Sequence, residues 1–253
     1  MNDLSVWTVE WLRLVRTRRL LALAGVFLFF GFAGPLAARY LPDLLSSSVS
    51  SRMKITVAAP VPADGVGGYA HDAMQIGLLI AVVVGAFACA VDTRPALSVF
   101  YRTRAHAFGR LLLPRFTVTA AGAVAAYLLG LLAAWYETAV LIAAPSPAAM
   151  AESAALGSVY LIFAVAVTAA ASTVARSTLG TVGYAFTVLL VIPIAANAPA
   201  LAPWMPSALA GAPDALLRHT GPGHYTRALI VCAAAAAALV TAACWLGSRR
   251  EVS

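Results

Sequence analysis

The sequence predicts an all-α integral membrane protein: six transmembrane helices, an amphipathic amino-terminal helix and both termini in the cytoplasm. Three observations carry this. Six long stretches contain no Asp, Glu, Lys, Arg or His; the arginines between them fall mostly on alternate sides; and the tryptophans stand near the ends of the stretches.

The stretches are Leu20–Ala38, Ala73–Val91, Phe116–Tyr136, Ala154–Ala175, Ser177–Ala198 and Ala228–Ser248, each of 19 to 22 residues. At about 1.5 Å per residue, the shortest reaches roughly 28 Å, close to the hydrocarbon thickness of a bilayer. No water is present there to satisfy backbone N–H and C=O groups, so each stretch must be a helix or join a closed barrel. Barrel strands are shorter and alternate in polarity, so helices are predicted.

Cytoplasmic loops carry the Lys/Arg excess. Twelve of the seventeen basic residues fall on one side: Arg13, Arg16, Arg18 and Arg19, then Arg94, Arg102, Arg104, Arg110 and Arg115, then Arg176, Arg249 and Arg250. The other side has Arg39, Arg52, Lys54, Arg218 and Arg227. Acidic residues divide four and six the opposite way, leaving +8 inside and −1 outside of the net +7. The basic balance is read as topology and attraction to anionic lipid, with no nucleic-acid partner. Trp7, Trp11, Trp135, Trp204 and Trp245 all lie at or near expected membrane interfaces, a depth that amphipathic rings prefer. The basic amino-terminal segment runs into a full-length first span with no small-residue cleavage site, so no removable signal is expected.

Three segments outside the spans have a pattern. Leu4–Arg19 places Leu4, Trp7, Trp11, Leu14 and Val15 on one helical face, with Glu10, Arg13 and Thr17 opposite. Residues 1–19 are therefore expected to form an interfacial elbow helix anchored by Trp7, Trp11, Arg13 and Arg16. It serves either as a plain topological anchor or as a contact for a partner. Residues 93–115 form a cytoplasmic loop in which Pro95 can open a short helix, with Leu97, Phe100, Tyr101 and Arg104 on one face. That helix either lies on lipid or docks into a partner. Residues 199–225 carry prolines at 199, 203, 206, 213 and 222, which preclude one long helix. Within them, Pro213–His219 could make a short helix stopped by Gly221, and the segment either dips into the interface or is a plain loop.

Six spans, cytoplasmic termini, an elbow helix, a basic loop between spans two and three and a broken segment before span six resemble the permease subunit of an ABC transporter, of the type-two exporter family. The family's loop runs from an acidic residue through a small apolar helix to a basic residue and then a second one. Asp92, Ala96–Tyr101, Arg104 and Arg110 follow that order, although the family's Gly-Thr after the acidic residue is replaced by nearby Pro95-Ala96. The resemblance implies a separate ATPase, in two copies, contacted through Leu97, Phe100, Tyr101, Arg102, Arg104 and His106. It implies a second permease chain, identical or paralogous, and export of a hydrophobic or amphipathic substrate such as a drug, peptide, natural product or lipid.

This chain is not expected to be an enzyme or to bind a cofactor. It has no Gly-x-x-x-x-Gly-Lys-Ser/Thr cradle, and its only lysine, Lys54, follows Ser-Ser-Arg-Met. ATP and magnesium would sit on the partner. No metal site is expected: His219 and His224 flank a Gly-Pro-Gly turn without a third ligand, and Cys89, Cys232 and Cys244 lie inside spans as packing residues. Sixteen arginines to one lysine, with many alanines, point to a GC-rich bacterial genome and so to a bacterial cytoplasmic membrane. The alternatives are a secondary transporter, disfavoured because the spans hold no ionisable carboxylate, imidazole or amine, and a non-transporting scaffold or sensor. Inside the bilayer, Gly77 and Gly85 on span two and Gly122, Ala126 and Gly130 on span three are expected to mark close helix contacts. Pro193 is expected to kink span five.

Overall fold

The structure, a computed structural model, describes residues 3–48, 59–89, 108–175 and 177–249. Eight helices are built from them: α1 (Asp3–Arg16), α2 (Arg19–Ser48), α3 (Pro62–Cys89), α4 (Gly109–Leu141), α5 (Pro147–Val174), α6 (Thr178–Ala195), α7 (Ala212–Leu217) and α8 (Thr226–Arg249). Six stretches are long and apolar enough to cross a membrane: Arg19–Pro42, Pro62–Cys89, Gly109–Leu141, Pro147–Val174, Thr178–Ala195 and Pro222–Arg249. The chain is a multi-pass membrane protein.

Five of the six spanning helices begin before their uncharged stretches, because a helix does not begin where the hydrocarbon does; α6 alone, Thr178–Ala195, starts inside its stretch. α3 begins at Pro62, eleven residues before Ala73. Proline suits a first turn, whose N–H would be unpaired anyway. The Asp64 carboxylate accepts the Val61 N–H at 2.9 Å. α4 begins at Gly109, so Arg110 and Arg115, expected in the loop 93–115, stand on a membrane-spanning helix. In α6, Ser177 caps the first turn, its Oγ accepting the Gly180 N–H at 3.0 Å. Pro193 lies inside the last turn of this helix, two residues before its end.

Three of the predicted small residues, Gly77, Gly122 and Gly130, sit at close contacts, whereas a Cβ at Gly85 would stand a looser 3.3 Å from Thr168. α2 packs chiefly on α4, and α5 on α8. A side chain at Gly31 would come within 2.5 Å of the Gly130 carbonyl; one at Gly130 would strike the Phe27 carbonyl. A Cβ at Gly77 would lie 2.6 Å from the Phe27 ring, and one at Gly122 would lie 2.8 Å from the Leu14 side chain of α1. Around these contacts Tyr69 and Tyr127 stack at 5.9 Å, and Phe27 meets Tyr127 edge-on at 6.1 Å. The Tyr69 hydroxyl donates to the Tyr127 carbonyl at 2.6 Å, and the Tyr127 hydroxyl to the Ser153 carbonyl at 3.3 Å, so neither buried hydroxyl is left unpaired. α5 is the most enclosed span, 67% buried, whereas α6 and α8 are each 17% buried and leave most of their surface free for lipid or another chain.

Hydroxyls along the spans turn back onto their own helices. Thr168 donates to the Ala164 carbonyl at 2.9 Å and Thr187 to the Gly183 carbonyl at 2.9 Å.

Candidate functional site

The two ends of the bundle carry different chemistry. At one end α1 lies across α4. The turn joining α1 to α2 puts Arg18 at φ 57°, a left-handed conformation that reverses the chain in two residues. Leu14 is buried against Gly122, and Glu10 is buried beside it. The sequence placed Glu10 on the solvent side. In the structure its carboxylate instead accepts from Arg115 Nε at 3.1 Å, with Arg13 at 3.6 Å. α1 is thus rolled toward its Glu10 side, while Trp7 and Trp11 remain 42% and 46% exposed. Arg13 and Arg16 stand in its last turn.

Cys89, the last residue of α3, and Leu112, near the start of α4, are buried in one small cluster with Ala169 and Ala243. The end of α3 and the start of α4 therefore meet at the α1 end of the bundle. Leu97, Phe100, Tyr101, Arg102, Arg104 and His106 themselves lie outside the described residues.

The other end holds a cavity of about 690 Å³ between α3, α5, the end of α6 and the segment before α8. That segment is packed, not loose. Short 3-10 turns at Ala202–Trp204, Pro206–Leu209 and Pro222–Tyr225 bracket α7, and Leu209, Ala212 and Leu216 are buried. α7 stops before Gly221: His219 takes the left-handed position at φ 70°, and the Thr220 N–H closes onto the Ala215 carbonyl at 2.9 Å.

Three charges meet at the cavity rim. Arg218 Nε donates to both Asp214 oxygens, at 2.9 and 3.1 Å, and its Nη2 to Asp64 Oδ1 at 2.6 Å. Hydrogen bonds to Asp64 first, and then to Asp214, hold the guanidinium above its ordinary pKa, so Arg218 is a fixed positive charge. All three side chains are at least a third exposed, so the triad ties α7 to α3 without being a strong source of stability. On the α3 wall the helix widens into one π-turn, Ala73–Gly77, where Gln75 Nε2 and His71 Nε2 are 2.9 Å apart. Such turns often accompany functional sites. Deeper lie Ala70, Met74 and Tyr160, each under 10% exposed.

Sequence reasoning singled out neither the pair Glu10–Arg115 nor the pair Asp64–Arg218. Asp214 and Arg218 were legible as helical neighbours four apart; Asp64 is 154 positions from Arg218, and no local pattern announces that contact. Among the described residues no three His, Cys, Asp or Glu side chains gather to hold a metal ion.

The α3–α7 contact has a direct test. A Cβ at Gly67 would lie 3.2 Å from that of Asp214, slightly inside the usual disulfide separation of about 3.5–4.5 Å. Gly67→Cys with Asp214→Cys, in a background with the native cysteines replaced by alanine, should form a bond spontaneously in oxidised membranes. Free thiols after mild oxidation, read by a mass-tagging maleimide, would place α7 elsewhere.

The chain matches no protein-family model and no curated protein.

Proposed function

We propose that this chain is the membrane-spanning permease subunit of an ABC exporter, moving a hydrophobic or amphipathic substrate with ATP hydrolysed by a separate subunit. The observation that carries the reading is the arrangement at the α1 end. A short helix with outward tryptophans is pinned by Glu10 and Leu14 onto α4, the helix that receives the arginine-rich segment from α3. A force applied to that segment would reach both α4 and α1. The Lys/Arg excess assigns this end to the cytoplasm, with both termini there, in a bacterial inner membrane. Trp7 and Trp11 then lie in the inner interface, making α1 an amphipathic elbow.

In this reading two ATPases carry the ATP and magnesium. They press on Leu97, Phe100, Tyr101, Arg102, Arg104 and His106, and two permease chains complete the pathway. The largely uncovered faces of α6 and α8 leave room for the second chain.

A mild-detergent pull-down of the tagged chain from its native membrane tests this. A stoichiometric soluble protein with a phosphate-cradling Gly-rich loop is the expected companion. Arg102→Glu with Arg104→Glu should leave the chain in the membrane and cut recovery of that companion at least about tenfold, since two reversed charges at an interface cost more than about 1.4 kcal/mol. A cross-linked preparation that contains no ATPase would move the reading to a secondary transporter or a scaffold.

A further inference from the structure

We propose that the cavity between α3, α5 and α7 is a binding site, complete within one chain, for an organic cation with an apolar body. The volume of about 690 Å³ is that of a site for a drug-sized ligand. Its rim and depth differ in chemistry. At the rim two carboxylates, Asp64 and Asp214, share one guanidinium, Arg218, so this triad carries one formal negative charge in excess. Each carboxylate oxygen has one partner: Arg218 engages three, and the Val61 N–H engages Asp64 Oδ2. An ionised carboxylate oxygen accepts about two hydrogen bonds, so acceptor capacity as well as charge is left over. A protonated amine supplies both the missing charge and the missing donors.

At depth the walls are apolar, and one hydroxyl-bearing side chain there lacks a partner. Tyr160 lines the cavity, is 3% exposed and makes no hydrogen bond among the described residues. A hydroxyl so nearly buried usually has a partner. This favours a ligand bearing a polar atom on an otherwise apolar body. An anion is disfavoured by the rim charge, and a sugar by the apolar depth. Calling the ligand a transport substrate rests on the exporter reading; the binding itself does not.

The test uses the full chain in lipid nanodiscs and a pair of probes of the same shape and opposite charge. Radiolabelled tetraphenylphosphonium should bind saturably above empty nanodiscs, and radiolabelled tetraphenylborate, titrated separately because the two ions pair, should not. Asp214→Asn should weaken binding about fivefold or more. Arg218→Gln should leave it unchanged or tighten it, because removal of one charge of either sign acts in opposite directions on a cation. A merely structural triad would instead lose binding in both variants. Gly211→Trp is the second handle: Gly211 lines the cavity and a side chain there meets nothing within 4 Å, so the indole crowds the rim without a clash, and binding should weaken. Equal saturable binding of the borate, weakening in both charge variants, or undiminished binding in Gly211→Trp would overturn the site. None of these readouts involves an ATPase, so failure here and failure of the pull-down are separate results.

Discussion

Gly130→Leu should lower the melting temperature of the purified protein by roughly 6–12 °C, the shift that about 3 kcal/mol of overpacking gives in a chain of this size. The cause is local. α2 and α4 cross with the Phe27 carbonyl directly over Gly130, and the Tyr69 hydroxyl lies 2.7 Å from where a Cβ would stand. Backbone cannot yield as a side-chain tip can, so α2 must lift from α4. The lift would break the Phe27–Tyr127 edge contact and open the Tyr69 bond to the Tyr127 carbonyl. Gly183→Leu is the matched comparison. It is also a mid-helix glycine, but a side chain there meets nothing within 4 Å, and leucine is the better helix former. It should leave the melting temperature unchanged or raise it slightly. A thiol-reactive dye reads both once the half-buried Cys244 is replaced by alanine, since Cys89 and Cys232 are buried free thiols that react only on unfolding. Equal melting of the two variants would show that the α2–α4 crossing is not where the structure has it.

Arg115→Leu should cost about 3 kcal/mol, and Glu10→Leu in the same chain should restore most of it. Glu10 is 9% exposed and Arg115 5%. Removing the guanidinium leaves a buried carboxylate compensated by Arg13, 3.6 Å away, and by the charge of nearby Arg19. Removing both charges leaves an apolar contact in an apolar setting, which is often neutral or better. The signature is therefore a double-mutant coupling above about 1 kcal/mol, measured as recovered melting temperature. Simple additivity would mean that α1 is not pinned to α4 by this pair. In the exporter reading the single variant also loosens the elbow, so ATPase stimulation by substrate should fall more than ATPase recovery in the pull-down.

Much of the bundle was legible because its causes are local. A backbone in hydrocarbon must bond to itself, so an uncharged run of 19 residues is enough to call a helix. Gly122 and Gly130 could be called contact residues because a missing Cβ is useful only where something comes close. The ends were less legible. Reading stopped each span at the first charge, yet α3 starts at Pro62 and α4 at Gly109, since helices continue into water when a cap or a partner satisfies the first turn. Glu10 was misplaced for a related reason: a helical wheel ranks faces by polarity, and a carboxylate is assigned to water unless its partner is known.

By itself the sequence determined six membrane-long helices, their small-residue contact faces and a broken segment before the last of them. These follow from the cost of an unpaired backbone group in hydrocarbon and from the volume of single side chains, both properties of short stretches. Only the tertiary structure decided that Glu10 meets Arg115 across 105 positions and that Asp64 meets Arg218 across 154, and so which end holds a buried ion pair and which a charged-rimmed cavity. Such pairings depend on how far each helix is rolled and where it ends. Those are set by packing against neighbours, a sum over many contacts that no single segment contains.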